Sequence, residues 1–340
     1  MTTRQGGPRV WARAFVGFYR TRDASARELD PIARFLYSAR SVILVISAQA
    51  AIIACLLALA DRRFDLVSFG LVLLGFVDAH AISNLSNDYF GYRRGHDSQD
   101  SPRLRYTVHP LASGMLTPRM LAAGVALLGL VGLAITAYFV ALRGPLTLAF
   151  AGAGVMLLFL YDASPIPLKS IGLGEIASFL VWGPLMVGGG YFVITGQLTP
   201  APFLVSVPYG LGVASILVGK HIDQRAFDVA HGLRTLPVVL GDTAARSLNQ
   251  GLVAGMYVTV ALLVISGTVS LLTAIVAAAL PRAIHAIELM RRARPAEPPA
   301  GYVGWPLWYH RGCLSHNRLF GWLYIAGLGA GALVGLRIGL

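Results

Sequence analysis

Charge and cysteine are what this chain has least of. Only 13% of its 340 residues are charged, whereas an ordinary soluble domain carries about 25%. Too little polar surface remains to coat a water-soluble globule of this size. Cysteine occurs twice, Cys55 inside an apolar run and Cys313 in a polar loop, so neither a disulfide framework nor a thiolate metal site is implied. Acidic residues are also scarce, 16 against 28 Lys and Arg, for a net charge of +12. No basic stripe with interleaved aromatics accompanies that excess. Nucleic-acid binding is therefore set aside, and the positive charge reads as membrane topology and contact with anionic lipid. The first apolar run lies behind a long Arg-rich segment that lacks a small-residue cleavage site, so a removable signal peptide is not expected.

What is abundant is apolar. Hydrophobic residues make up 56% of the chain and mean hydropathy is +0.65, which places it in a bilayer. A hydrocarbon core of ~30 Å needs runs of roughly 20 apolar residues. About nine fit, near 41–60, 66–88, 119–141, 145–161, 174–195, 203–220, 246–266, 269–290 and 319–338. The expected fold is an all-α, multi-span transmembrane helix bundle of two pseudo-repeated four-helix halves around a central cavity. Residues 1–40 read as a basic cytoplasmic segment, with an amphipathic stretch over 8–35 suited to the interface. Residues 41–340 read as a single integral-membrane domain, because the Pro- and Gly-rich ARPAEPPAGYVGWP is a loop and not a linker.

Basic residues mark the cytoplasmic side. They crowd the N-terminal segment and every second loop: Arg93, Arg94, Arg103 and Arg105, then Lys169, then Lys220, Arg225 and Arg234, then Arg291, Arg292, Arg294, Arg311 and Arg318. This predicts a protein of the plasma membrane with its N-terminus inside. Two acidic clusters fall on that same side, Asn84, Asp88 and Asp97 at and beyond the end of the second span and Asp223 and Asp228 after the sixth. Their matched places in the two halves suggest that they meet.

Mg²⁺ takes hard oxygen ligands, usually one or two carboxylates plus substrate phosphate oxygens. Asn84, Asp88, Asp97, Asp223 and Asp228 are the expected metal ligands. Asn84 and Asp88, four residues apart, project from one helix face. Arg93, Arg103, Lys169, Lys220 and Arg234 are the expected partners of a diphosphate. Tyr89, Tyr161, Trp182, Tyr191 and Tyr209 offer aromatic faces that can stabilise a cation in a cavity closed to water, although most aromatics in membrane helices serve packing or the interfacial belt. Asp78, His80 and Glu175 lie deeper in apolar runs, where a charge needs a partner. A helix-to-helix bond is the simpler role for His80.

Several segments, in order, resemble the UbiA superfamily of intramembrane prenyltransferases. NLSNDYFGYRRGHD looks like its first Asp-rich motif and HPLASG like the turn that follows. YDASPIPLKSIGLGE looks like its tyrosine and lysine segment, carried here by Tyr161 and Lys169. GEIASFLVWGPLMVGGGYFV resembles the fifth span of menaquinone-type members, and KHIDQRAFDVAHGLRTLPVVLG resembles the second Asp-rich motif. The resemblance implies Mg²⁺-dependent transfer of an isoprenyl group from its diphosphate to a lipophilic, aromatic acceptor of the quinone-precursor kind. Asn84, Asp88, Asp223, Asp228 and Tyr161 would carry catalysis. A UbiA-type membrane terpene cyclase and a non-catalytic transporter or lipid-binding protein are the alternatives.

The chain departs from that pattern in three places. Gly91 stands where the first motif usually has an acid, Gln224 where the second has its first Asp, and His109 where an arginine is common. Asp223 is one step off, and a five-residue spacing turns about 140° around an ideal helix. Asp223 and Asp228 share a face only if the helix unwinds between them.

Overall fold

The computed structural model describes residues 6–17, 28–95 and 101–334. Those residues form helices and connecting turns. In chain order they are α1 (Pro8–Val16), α2 (Pro31–Ser38), α3 (Ser41–Ala60), α4 (Leu66–Arg93), α5 (Pro102–Tyr106), α6 (Pro118–Arg143), α7 (Leu146–Ala163), α8 (Gly174–Thr195), α9 (Pro200–Ala230), α10 (Leu236–Leu240), α11 (Asp242–Ile265), α12 (Leu271–Arg291) and α13 (Tyr309–Val334). Eight of them, α3, α4, α6, α7, α8, α9, α11 and α12, are long and apolar enough to cross a membrane. The ninth expected span corresponds to α13, a 26-residue helix packed against α3, α9 and α12.

Local chemistry sets where these helices begin. Asp65 accepts a hydrogen bond from Ser68 N at 2.6 Å and opens α4. Thr117 accepts from Met120 N at 3.2 Å, with Pro118 as the first helical residue of α6. Both satisfy amide donors that a helix start leaves without internal partners. Two helices widen locally into π-helical turns, α7 over Phe159–Ala163 and α8 over Val181–Gly188, the latter around Pro184.

The core sits between α3, α8, α9 and α13, where Ile53, Leu57, Val187, Val205, Tyr209, Phe320 and Tyr324 are buried. Close approach of α8 and α9 depends on paired glycines: a Cβ on Gly210 would lie 3.2 Å from Gly183 Cα. Outward faces remain apolar, as with Leu127, Leu130 and Leu133 on α6. In a bilayer that exposure carries no penalty.

Two features differ from the sequence reading. The second and sixth spans run on as helix, to Arg93 and Ala230, so Arg93, Asp223 and Asp228, expected beyond the span ends, lie on helix, as Asn84 and Asp88 do. The 8–35 stretch is not one helix: α1 and α2 are separate, and they pack against Val108 and Met115.

The connections expected on one side do share one end of the bundle. Arg40, just before α3, bonds Asp88 of α4. Arg94, after α4, donates to Asp162 O at 2.5 Å and Ser164 O at 2.7 Å at the end of α7. Arg234 N reaches Ser170 O at 3.1 Å, and Arg294 donates to Asp223 O at 2.7 Å. At the other end, Arg143 Nε of α6 donates to Val193 O of α8 at 2.9 Å.

Candidate active site

At that shared end a pocket opens between α4, α5, α7 and α9, lined by Asn87, Gly91, Arg103, Tyr161, Lys169, Lys220, His221, Gln224, Asp228 and Thr235 among others. Each comes from a defined local structure. On α9, Lys220, Gln224 and Asp228 recur every four residues, so one helix face carries all three. The π-helical turn of α7 re-aims its last residues, and Tyr161 meets the pocket there; such turns are frequent at functional sites. Lys169 sits on the short turn Leu168–Ile171. Its ammonium pairs with the Asp162 carboxylate and lies 6.0 Å from the Tyr161 ring centroid.

Several of the buried charges are paired, which offsets the cost of burying them. Asp88 is fully enclosed: Oδ1 lies 2.5 Å from Arg40 Nη2 and 2.5 Å from Arg103 Nη1, and Oδ2 accepts from Arg103 Nη2 at 2.7 Å. Glu175 Oε1 and His221 Nδ1 are 2.6 Å apart. Asp228 Oδ2 accepts from Thr235 Oγ1 at 2.9 Å. Lys220 lines the same pocket and has no hydrogen bond or ion pair closing on it among the described residues.

The predicted residues therefore divide. Arg103, Lys169, Lys220, Tyr161 and Asp228 line the one pocket. Asp88 lies behind Arg103. Asn84 is buried and its amide donates to Ala39 O at 2.9 Å. Arg93 and Arg234 are exposed and outside the lining. Asp97 lies outside the described residues. Asp223 faces away: α9 does not unwind, and its carboxylate accepts from Tyr309 N at 3.1 Å and His310 N at 3.0 Å, holding the first amides of α13. His109 is structural, its Nδ1 accepting from Leu111 N and Ala112 N at 3.2 Å each.

Of the proposed aromatic faces, only Tyr161 is among the pocket-lining residues. Tyr209 OH donates to Ile46 O at 2.6 Å, Tyr191 OH to Asp61 Oδ2 at 2.5 Å, and Trp182 Nε1 to Ser47 Oγ at 2.9 Å. Ser47 Oγ also lies 2.9 Å from His80 Nδ1, so His80 is a helix-to-helix contact. Sequence reasoning missed Arg40, Asn87, Asp162, His221, Gln224 and Thr235 as parts of the site. The four-residue recurrence on α9 carried the signal for Gln224; Arg40 comes from far along the chain and carried none.

As to metal, no group of three or more His, Cys, Asp or Glu side chains is assembled among the described residues. Among the described residues Asp228 is the single carboxylate in the pocket lining, with the amides of Asn87 and Gln224 beside it. That donor set fits an ion sharing its coordination with substrate phosphate.

Spanning helices around an ionic pocket at one end define a polytopic membrane protein with a charged site inside its bundle. The chain belongs to the UbiA prenyltransferase family, which it matches over residues 48–310, and it is a prenyltransferase. It is 26% identical to the 1,4-dihydroxy-2-naphthoate octaprenyltransferase of Bacillus subtilis (strain 168), over 70% of this chain and 75% of that one. The Escherichia coli (strain K12) enzyme of the same name is 29% identical over 67% of this chain and 75% of its own. The fold is that of a UbiA homolog from Archaeoglobus fulgidus bound to GPP and Mg²⁺, with a TM-score of 0.59, 18% identity, and coverage of 87% of this chain and 99% of that one.

Proposed function

We propose that the protein transfers an isoprenyl group from its diphosphate to a lipophilic aromatic acceptor of the quinone-precursor type. The observation that carries this reading is the convergence of Arg103, Lys169 and Lys220 beside Asp228 and Tyr161, at one end of an otherwise apolar bundle. Three cationic side chains offset the charge that gathers on a diphosphate as its bond to the isoprenyl carbon breaks. Tyr161 presents a ring where Lys169 already rests, so it orients the head group. The apolar helices behind exclude water from the allylic carbon until the acceptor's ring carbon bonds to it and restores its aromaticity by losing the proton or carboxyl group (as carbon dioxide) that it carried. The naphthoate acceptors named for the Bacillus and Escherichia relatives support the aromatic class of acceptor.

Mg²⁺, present with GPP in the Archaeoglobus homolog, would be held through Asp228 with the amide oxygens of Asn87 and Gln224, and would supply further charge neutralisation at the diphosphate. The pocket end faces the cytoplasm of the cell membrane, because the basic loops gather there. Residues 41–340 act as one domain, with 1–40 as its basic cytoplasmic segment.

The test is incubation of the purified protein with Mg²⁺, isoprenyl diphosphates of several lengths and a panel of aromatic acceptors, with products identified by mass spectrometry. A prenylated acceptor is expected. A cyclised product formed without acceptor would replace this reading with a cyclase, and no pyrophosphate release with any pair would sink it.

A further inference from the structure

We infer that the outer seam between α12 and α13 binds an anionic phospholipid of the surrounding bilayer, its phosphate held between Arg282 and Arg311 and its acyl chains lying on the apolar surface deeper along the seam.

The two helices run antiparallel and pack tightly at this level: a Cβ on Gly312 would lie 2.8 Å from Leu289 Cδ1. Arg282 is exposed on α12, and its guanidinium crosses the seam to donate to Ser315 O at 3.1 Å. Arg311, one helical turn before Ser315 on α13, is exposed too. Its guanidinium donates to Val303 O and lies 4.9 Å from the Tyr302 ring centroid. Carbonyls and a ring thus orient both cations around one turn of α13 without cancelling their charge. Neither arginine has an ion pair among the described residues. The α13 helix contains no acid, and Glu288 of α12 stands about 120° round that helix from Arg282.

The bilayer makes this excess charge consequential. Rising ~2.0 Å per residue over its 3₁₀ stretch Leu271–Ala279 and ~1.5 Å per residue after it, α12 carries Arg282 roughly 21 Å from its far end. That is short of a hydrocarbon thickness of ~30 Å, so a lipid-facing guanidinium there must snorkel toward the headgroups and meet an anion. The anion within reach at that depth is a lipid phosphate, which matches the planar guanidinium fork. Deeper in the bilayer the seam is apolar. Trp322, eleven residues beyond Arg311 and so on the same face of α13, is 48% exposed, and Ile275 of α12 is 47% exposed. A free phosphate would use the two arginines and leave that apolar surface bare.

The experiment reconstitutes the full chain with equal amounts of phosphatidylglycerol and phosphatidylcholine and counts the lipid each chain retains by native mass spectrometry. Wild type is expected to retain phosphatidylglycerol at least fivefold over phosphatidylcholine. Arg282→Gln/Arg311→Gln should lose that preference, whereas Arg62→Gln/Arg63→Gln, which removes the same charge from the exposed turn between α3 and α4, should keep it. A second readout locates the lipid: the emission that Trp322→Phe removes should be quenched at least twofold more by brominated phosphatidylglycerol than by brominated phosphatidylcholine. No preference in wild type, an undiminished preference in Arg282→Gln/Arg311→Gln, or an equal loss in both double variants would overturn the inference. Displacement of the retained lipid by millimolar inorganic phosphate would mark a bare anion site and overturn it as well.

Discussion

Glu175, in the first turn of α8, and His221, on α9, meet through Oε1 and Nδ1 at 2.6 Å, and the imidazole forms part of the pocket wall. Both are buried, and Glu175 Oε2 has no partner. Removing one member strands the other in a low-dielectric interior, at a cost of about 3 kcal/mol or more. His221→Leu should therefore lower the thermal midpoint in detergent more than the double variant with Glu175→Leu does. Additive losses in that comparison would mean that the two side chains are not coupled.

The bundle was legible in the sequence because a bilayer imposes length and apolarity on every span, and those quantities are written residue by residue. The site was legible only in part. Lys169, Lys220 and Asp228 follow from their places at helix ends on the basic side, and the angular offset of Asp223 made its sharing a face with Asp228 conditional on unwinding, which does not occur. Its actual partners, the first amides of α13, come from a segment 86 residues further on, a pairing that no local pattern contains. Arg40 reads from sequence as one more topological arginine. Its role depends on how the start of α3 packs beside the end of α4, which is a tertiary relation.

Asp228 is held by Thr235 through a 2.9 Å bond and borders the pocket. Asp228→Asn should reduce prenyl transfer on the order of a hundredfold, the usual cost of losing one electrostatic contributor to a charged transition state. Thr235→Val, which leaves the carboxylate in place, should cost less. Chelating Mg²⁺ from wild type should lower turnover, and the Asn variant should respond little to chelation. Radiolabelled transfer assays with and without EDTA measure both, and full activity of Asp228→Asn in Mg²⁺ would remove this residue from the site.

Asp30 ties α1 to α2. Its carboxylate accepts from Ala33 N at 2.7 Å, from Trp11 Nε1 at 2.8 Å and from Gly7 N at 3.1 Å. The Ala33 amide foremost, with the Trp11 and Gly7 donors, holds its pKa below the ordinary carboxylate value against burial, which is second in size and acts upward. A lowered folded-state pKa means that the docking of α1 is fully supported above the unfolded value and is lost as pH falls through the folded one. The Trp11 contribution to fluorescence should stay constant from neutral pH down through the usual Asp range and change only below it. Asp30→Asn should flatten that acid transition; if the variant titrates like wild type, another group controls the contact.

Gly327 and Gly329 lie two residues apart on α13 and should answer the same substitution with opposite signs. A Cβ on Gly329 would touch only Leu56 side-chain carbons, at 3.6 Å, which is ordinary contact. Alanine there gains up to about 1 kcal/mol of helix propensity. On Gly327 the added carbon would lie 2.6 Å from Thr273 Cα and 3.0 Å from Leu272 O, both backbone atoms of α12 that cannot rotate aside. Overpacking of that kind costs typically 1–3 kcal/mol, more than propensity returns. Gly327→Ala should therefore lower the unfolding midpoint in detergent while Gly329→Ala raises it or leaves it unchanged. Because α13 also carries the amides that hold Asp223, displacement of the helix should weaken pyrophosphate binding in Gly327→Ala as well, whereas Gly329→Ala should bind as wild type does.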